Sequence, residues 1–385
     1  MRIGMQDSLY SNILNEYRTI YVQLPADYNP ETGKKYPVAY ILDGEVFLPT
    51  LSDVQNYYSG GFTPEMILVG ISNAYNRTRD LTISKVTEMY GMPFNDETGG
   101  AQIFQDFIEK ELIPFVEAKY PVTKYRTLIG HSYGGLFTIF TMLNNPELFS
   151  NYLAIDPSLD WNGQEILANA QNKLTGESYS NKSLFVSLSG QLHMQDSKIT
   201  IDNVMQDKSD YTLFARSNIA FRDIVNENKS NGLNFNWKHY PTDLHGTVVF
   251  PSIMDGLISI FKWYQMENTD KINSFDTPQS ELYDIVKYRE TKLKNHFGYM
   301  EPPYPEELLN MSGYMNMDMN QPEKAKMYFE FAIAYYPNSP NVYDSIADFY
   351  EAQGDIEMAI KYVQKAVDLS ENVYYKNRLE ELRSK

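Results

Sequence analysis

Short apolar runs alternate with helical patterns along the first two-thirds of the chain. Residues 36–42 and 66–71 are nearly continuous apolar runs, which are typical of strands covered on both faces, and residues 17–24 alternate as a half-buried strand does. Further strands are predicted at 128–129, 152–155, 184–188 and 235–240, and helices at 103–118 and 212–225. This alternation predicts an α/β fold with a mostly parallel sheet, whose chemistry lies at the carboxyl ends of the strands.

From about residue 268 the strand pattern stops and a repeat of 34 residues begins. Small residues recur at this offset in helix–turn–helix units, as in the pairs Gly313 and Ala347, Asn320 and Gly354, Ala325 and Ala359, and Ala332 and Ala366. A helix–turn–helix period of 34 residues is typical of tetratricopeptide repeats. The pattern therefore predicts an α/β domain at 1–267 and a helical domain at 268–385, with repeats at about 305–338 and 339–372 and a terminal helix.

Composition narrows the classes of function. A net charge of −17 would repel phosphate backbones, so we expect no binding to nucleic acid. The absence of cysteine excludes thiolate metal sites and cysteine nucleophiles. No apolar run approaches the length of a membrane span, and residues 1–7 do not resemble a signal peptide. The compartment stays open between the cytoplasm and export with the signal removed.

A serine stands at a predicted strand-to-helix turn. Residues 130–135 read Gly-His-Ser-Tyr-Gly-Gly, directly after the apolar residues 128–129 and before an apolar helical stretch. This context is that of the nucleophile elbow of α/β-hydrolases, in which a strained turn exposes the serine hydroxyl. We predict Ser132 as the nucleophile, and small residues at Gly130 and Gly134 because strand and helix pack closely there.

The base and the acid should follow later strands, in the chain order serine, acid, histidine. Among five histidines, His245 follows the last strand and precedes Gly246, which makes it the predicted base. The acid is expected near residue 190, but no carboxylate is present there. Proximity to the strand end favours Asp196, and the alternatives left open are Asp202, Asp207, Asp210 or a dyad without an acid.

Acyl transfer also needs donors for the developing oxyanion. The backbone N–H of Tyr133, next to the nucleophile, is the first predicted donor. The second is predicted from the loop after the strand at 36–42, at Glu45 beside Gly44, where a glycine lets the backbone approach a substrate.

Together these motifs resemble the putative-esterase family of α/β-hydrolases, and most of all its siderophore-esterase-like branch. The matching segments lie between about residues 5 and 265, at 42–44, 69–71, 77–81, 111–114, 130–135 and 245–246. The resemblance implies a serine carboxylic-ester hydrolase with Ser132 as nucleophile, His245 as base, backbone oxyanion donors at Tyr133 and near Glu45, and a small-molecule ester as substrate. It implies no metal and no organic cofactor. Family members often carry an early acid after residue 190, and this chain departs from that pattern.

Several expectations concern substrate, alternative function and the helical domain. Within the enzyme class, the alternative is a specialised esterase for siderophore lactones or feruloylated sugars. From another class, the alternative is an interaction protein that uses the helical domain beside an inactive hydrolase scaffold. Because two repeats and a helix are fewer than usually stand alone, the helical domain should lean on the hydrolase domain or pair two copies of the chain as a homodimer. Near the predicted site, residues 76–80 could offer a cation to an acidic substrate, but we favour the interpretation of Arg79 and Asp80 as a structural ion pair. Trp161 is interpreted either as a wall of the acyl site or as packing.

Overall fold

A computed structural model describes residues 4–26, 28–30, 33–89 and 91–385 of the chain. Residues 1–3 lie outside the described residues. The predicted start of the first domain and part of the segment 1–7 fall on them. The chain divides into two compact units between Gln265 and Met266. No helix in the described ranges combines the length and the apolar character that crossing a membrane requires.

The first unit is built on a mixed sheet. Eight strands of the described residues pair in the order β1-β2-β4-β3-β7-β8-β9-β10, with β2 antiparallel to both of its neighbours, β1 and β4, and every pair from β4 to β10 parallel. A small antiparallel hairpin, β5 with β6, lies apart. The strands are β1 Met5–Ser11, β2 Glu16–Gln23, β3 Tyr36–Leu42, β4 Ile67–Ile71, β5 Glu88–Met89, β6 Met92–Pro93, β7 Val122–His131, β8 Asn151–Ile155, β9 Ser183–Ser189 and β10 Asn234–Tyr240.

The burial of the strands follows their hydrophobic pattern. Every residue of β3 and of β4 is buried, as two continuous apolar runs predict for strands covered on both faces. In β2, buried and partly exposed residues alternate for most of its length, as its period-two pattern predicts. The predicted α/β class and mostly parallel sheet are confirmed, and the parallel strands bring their carboxyl ends to one edge.

Helices connect the strands and form the second unit. Those of the first unit are α1 Gly44–Tyr58, α2 Arg77–Leu81, α3 Ala101–Phe107, α4 Ile113–Lys119, α5 Tyr133–Asn144, α6 Trp161–Gly176, α7 Leu213–Glu227 and α8 Val249–Ile260. A π-helical turn, Ile108–Leu112, joins α3 to α4, so the helix predicted at 103–118 is continuous but locally widened. Those of the second unit are α9 Thr269–Ile272, α10 Gln279–Phe297, α11 Glu306–Asp318, α12 Pro322–Tyr335, α13 Pro340–Ala352, α14 Ile356–Leu369 and α15 Val373–Arg383.

Close approaches between backbones shape the turn that carries Ser132. A Cβ atom at Gly130 would lie 2.2 Å from the carbonyl oxygen of Gly134, so only glycine fits this end of β7. A Cβ at Gly135 would lie 2.8 Å from Cβ of Pro157, whereas one at Gly134 would meet nothing nearer than 3.5 Å. Gly130 is therefore required as predicted. The second steric requirement falls on Gly135 and not on Gly134, because the turn after β8 packs against that face of α5.

In the second unit, the helix pairs α11–α12 and α13–α14 repeat along the chain. The small residues Ala325 and Ala332 of the first pair and Ala359 and Ala366 of the second are fully buried. Polar contacts join residues 34 positions apart: the Tyr314 hydroxyl donates to Oδ2 of Asp348 at 2.7 Å, and Nε of Arg378 on α15 pairs with Oδ1 of Asp344 at 2.9 Å. The contacts thus follow the 34-residue period, and α15 extends the array by one helix beyond the second pair. The bounds of the individual repeats stay a prediction.

We expect Gly130→Ala to destabilise the first unit by at least about 2 kcal/mol, because its methyl group would collide with backbone that cannot rotate away. The matched control is Gly134→Ala, whose methyl group has ordinary contacts at 3.5 Å and adds helix propensity. Urea unfolding of the two variants gives the comparison. Equal stability of both variants would contradict the steric account of the turn.

Candidate active site

Side chains that follow three strands are the candidates for the centre of the site. Ser132 follows β7 with backbone angles φ 59° and ψ −117°, the strained turn expected of a nucleophile elbow. Nδ1 of His245, in the loop between β10 and α8, lies 2.7 Å from Oδ2 of Asp156, the residue directly after β8. A carboxylate can only accept, so Nδ1–H donates to Asp156, and Nε2 is left free to take a proton.

Asp156 is held in place from both sides. Its carboxylate is fully buried, and Oδ1 accepts a hydrogen bond from the backbone N–H of Ser189 at 2.8 Å. Its own N–H donates to the carbonyl oxygen of Ser187 at 3.1 Å. The backbone angle φ is 42°, a conformation that aspartate tolerates better than most residues. A buried carboxylate with two donors is a well-anchored partner for a histidine.

This geometry corrects the prediction of the acid. Asp196 is exposed and its Oδ1 accepts from the N–H of Lys198, Asp202 is exposed, and Oδ1 of Asp207 accepts from the N–H and hydroxyl of Ser209. Neither these residues nor Asp210 is the partner of His245. The dyad alternative is also wrong for this structure, because His245 does have a carboxylate partner.

The loop after β9 has a different task from the one predicted. A Cβ at Gly190 would lie 2.2 Å from the carbonyl oxygen of Pro241, and the N–H of Gly190 donates to the carbonyl oxygen of Asp243 at 2.8 Å. Oε1 of Gln191 accepts from the N–H of His245 at 3.1 Å. The loop after β9 therefore binds the backbone of the loop that carries His245. The carboxylate that binds the ring of His245 comes instead from the end of the neighbouring strand, β8. The signal in the sequence was an aspartate, Asp156, directly after a buried strand on the catalytic edge.

His131, which precedes the serine, contacts the loop that carries His245. Its Nε2–H donates to the carbonyl oxygen of His245 at 2.9 Å, and the two rings lie 4.5 Å apart. Burial, with a smaller contribution from the nearby His245, lowers the pKa of His131 to about 4. The side chain is therefore neutral near pH 7 and donates to the loop without adding a charge beside the base.

The predicted oxyanion donors begin two helices. Tyr133 is the first residue of α5 and Glu45 the second residue of α1, where backbone N–H groups have no partner within the helix. Gly44 lies against β4, since a Cβ there would come within 2.4 Å of Gly70. Arg77 ties both turns together. Its Nε and Nη2 bind Oδ1 and Oδ2 of Asp43 at 2.9 and 3.0 Å, and Nη2 also donates to the carbonyl oxygen of His131 at 3.1 Å.

Aromatic residues flank the serine on the side of α6. The edge of Trp161 meets the ring of Tyr133 at 5.3 Å between centroids, and Phe94 meets Trp161 at 6.1 Å. Trp161 is 2% exposed, so it packs beneath Tyr133 and does not itself form the surface of the site. The guanidinium of Arg77 lies over Tyr133 at 5.4 Å, which places a partly exposed cation beside the serine turn.

The second arginine of this segment has a structural role. Arg79 pairs with Asp80 at 2.8 Å and with Glu16 at 2.7 Å, and Arg18 also binds the buried Asp80. Burial raises the pKa of Asp80 against the effect of both arginines. The interpretation of Arg79 and Asp80 as a structural ion pair is confirmed. Among the described residues, no group of three or more histidine, aspartate or glutamate side chains is arranged to hold a metal ion.

Comparisons with known proteins identify relatives of both units of the chain. The family model described as "Putative esterase" matches residues 11–216, and a tetratricopeptide-repeat model matches 340–373. The chain is 34% identical over 170 residues to ferri-bacillibactin esterase BesA of Bacillus subtilis, with 40% of this chain and 58% of that protein covered. It is 27% identical over 250 residues to siderophore enterobactin esterase of Emericella nidulans, with 59% and 82% covered. The chain thus spans little more than half the length of the Bacillus relative.

A solved structure extends the likeness to the fold. An IroE-like serine hydrolase from Shewanella oneidensis superposes with a TM-score of 0.69 at 26% identity, over 86% of this chain and 99% of that one. The likeness therefore extends past the segment that the esterase model matches.

We expect Asp156→Asn to lower kcat/KM for a chromogenic ester by roughly 10³-fold or more, because an amide at this position favours the wrong tautomer of His245. Asp196→Asn is the matched control and should leave the rate unchanged, since its carboxylate serves only a local turn. The comparison needs steady-state rates for both variants and circular dichroism to check folding. If Asp196→Asn lost activity and Asp156→Asn kept it, Asp196 would be the acid, as predicted from the sequence.

The lowered pKa of His131 predicts acid sensitivity. The unfolded chain binds a proton at this residue below about pH 6.5, but the folded chain does so only below about 4, so stability falls as the pH drops through this window. The difference corresponds to about 3 kcal/mol. His131→Gln keeps a donor but does not titrate, so its unfolding free energy should vary less with pH than that of the wild type. If the unfolding free energies of the two proteins changed equally with pH, the titration of His131 would not be the cause of the acid sensitivity.

Proposed function

The chain belongs to the putative-esterase family, whose model matches more than half of it. We propose that it is a serine hydrolase of carboxylic esters that acts through an acyl-enzyme on Ser132. The observation that carries the proposal is the contact of His245 Nδ1 with the buried Asp156, in a loop that meets the serine turn through His131. For residues from these three strand ends we propose the roles of nucleophile, base and orienting acid, as in a serine triad.

In the first half of the reaction, Ser132 Oγ attacks the ester carbonyl while Nε2 of His245 takes its proton. The N–H groups of Tyr133 and Glu45 are the proposed donors to the oxyanion, and both belong to helix N-termini, where partial positive charge favours an anion. The protonated His245 then gives its proton to the leaving alcohol. Asp156 stabilises the imidazolium throughout.

In the second half, water attacks the acyl carbonyl and His245 takes a proton from it. The bond between the carbonyl carbon and Ser132 Oγ breaks, the electron pair stays on Oγ, and His245 returns the proton there. The acid product leaves, and the resting enzyme is restored.

For the substrate, we propose the esters of siderophores. The names of the Bacillus and Emericella relatives support this class. Feruloylated sugars are the competing class, since they also carry a phenolic acyl group. The rates on a short-acyl ester, a feruloyl ester and a catecholate trilactone, compared side by side, would separate the classes.

Ser132→Ala tests the activity itself. We expect it to abolish turnover of a short-acyl chromogenic ester and to prevent labelling by a fluorophosphonate probe, while circular dichroism stays unchanged, because the hydroxyl is the only group lost. Mass spectrometry of the labelled wild type should place the phosphonate on Ser132. Retention of more than a few per cent of the activity in the variant would refute the nucleophile.

The alternative from another class of function is an interaction protein that uses the helical domain. If the chain were an interaction protein with an inactive hydrolase scaffold, the probe would not label the wild type at all. Pairing of two chains through the helical domain stays a prediction, and light scattering of the full chain would test it.

A further inference from the structure

A second serine hydroxyl lies beside the nucleophile. Oγ of Ser158 is 3.2 Å from Oγ of Ser132, and Ser158 is only 7% exposed. The backbone N–H of Ser158 also donates to the carbonyl oxygen of Ser132 at 3.1 Å. The triad described above does not use this side chain, although it contacts the reacting oxygen.

The turn that carries Ser158 is firmly held. Nδ2 of the buried Asn218 on α7 donates to the carbonyl oxygen of Pro157 at 2.9 Å, and Pro157 packs against Gly135 of α5. Asp156, two residues before Ser158, is fixed by β9 and His245. Ser158 therefore stands on the same rigid segment as the acid, and its hydroxyl meets Ser132 without the cost of ordering a loop.

We propose that Ser158 is a catalytic residue that donates a hydrogen bond to Oγ of Ser132; this inference rests on the proposed function. A productive Ser132 directs its own proton toward His245, so its Oγ accepts from Ser158. The opposite orientation, in which Ser132 donates to Ser158, would hold the nucleophile's proton away from the base.

The bond should matter most in deacylation. When the tetrahedral intermediate of hydrolysis collapses, the carbon–Oγ bond of Ser132 breaks and negative charge develops on Oγ until His245 delivers its proton. A hydrogen bond from Ser158 shares that charge, and bonds to charged acceptors are stronger than bonds to neutral ones. During acylation the same oxygen ends as an ester oxygen, which is a poorer acceptor, so the bond weakens as that step proceeds.

Rapid mixing of Ser158→Ala with a chromogenic ester tests the proposal. We expect the steady-state rate to fall about tenfold, which corresponds to about 1.4 kcal/mol, while the initial burst of alcohol release becomes more pronounced. Ser158→Thr, which keeps the hydroxyl, should recover most of the rate. Ser178→Ala, at an exposed serine between α6 and β9, is the matched control and should behave as the wild type.

Two other outcomes would overturn the role. Faster fluorophosphonate labelling with an undiminished steady-state rate would mean that Ser158 restrains the nucleophile. An equal loss in the burst and steady phases, unrelieved in Ser158→Thr, would mean a structural role. If Ser158→Ala melts early, the near-isosteric Ser158→Cys replaces it, and as a weaker donor it should show an intermediate steady-state rate. Absence of phosphonate on Ser132 of the wild type would instead refute the proposed function itself.

Discussion

The buried carboxylate of Asp156 is the constraint on which the catalytic centre depends. A carboxylate removed from water needs strong partners, and this one has the N–H of Ser189 on one oxygen and Nδ1–H of His245 on the other. Because Asp156 directly follows β8, the strand beside the nucleophile strand, its turn also packs against α5 and bonds to the backbone of Ser132. One segment thus orients the base and supports the serine.

Placing the acid after β8 changes what the next loop has to do. The loop after β9 approaches so closely that Gly190 has no room for a side chain against Pro241, and Gln191 binds the N–H of His245. On the other side, His131 binds the carbonyl oxygen of the same histidine. The backbone of His245 is therefore held at both polar groups, while its ring is oriented by Asp156. Neutral partners at the backbone add no charge that would compete with the acid.

The parts of the site that sequence could predict are those with a local pattern. Ser132 has its strand, turn and helix around it, and His245 has its place in the chain order. In the second unit, the 34-residue period is likewise a local pattern, because it needs only neighbouring helices. Asp156 could not be chosen, because the choice depends on which of two adjacent parallel strands ends beside His245, and that is a matter of long-range register. The side chains of Gln191 and His131 bind backbone groups of His245. Every residue has these backbone groups, so the residue type at position 245 does not indicate such bonds.

The helices α1 and α6 escaped prediction for local reasons. The α1 helix contains Pro49 and begins after a left-handed residue, Asp43, so neither its start nor its interior has the usual pattern. At the start of α6, residues 162–164 have positive φ, which no helical periodicity reveals. Both irregular starts lie at the catalytic edge: the first directly precedes Gly44 and Glu45 of α1, and the second follows Trp161. Rules of local preference are broken where the chain turns toward the site, as expected when backbone strain is retained to place functional groups.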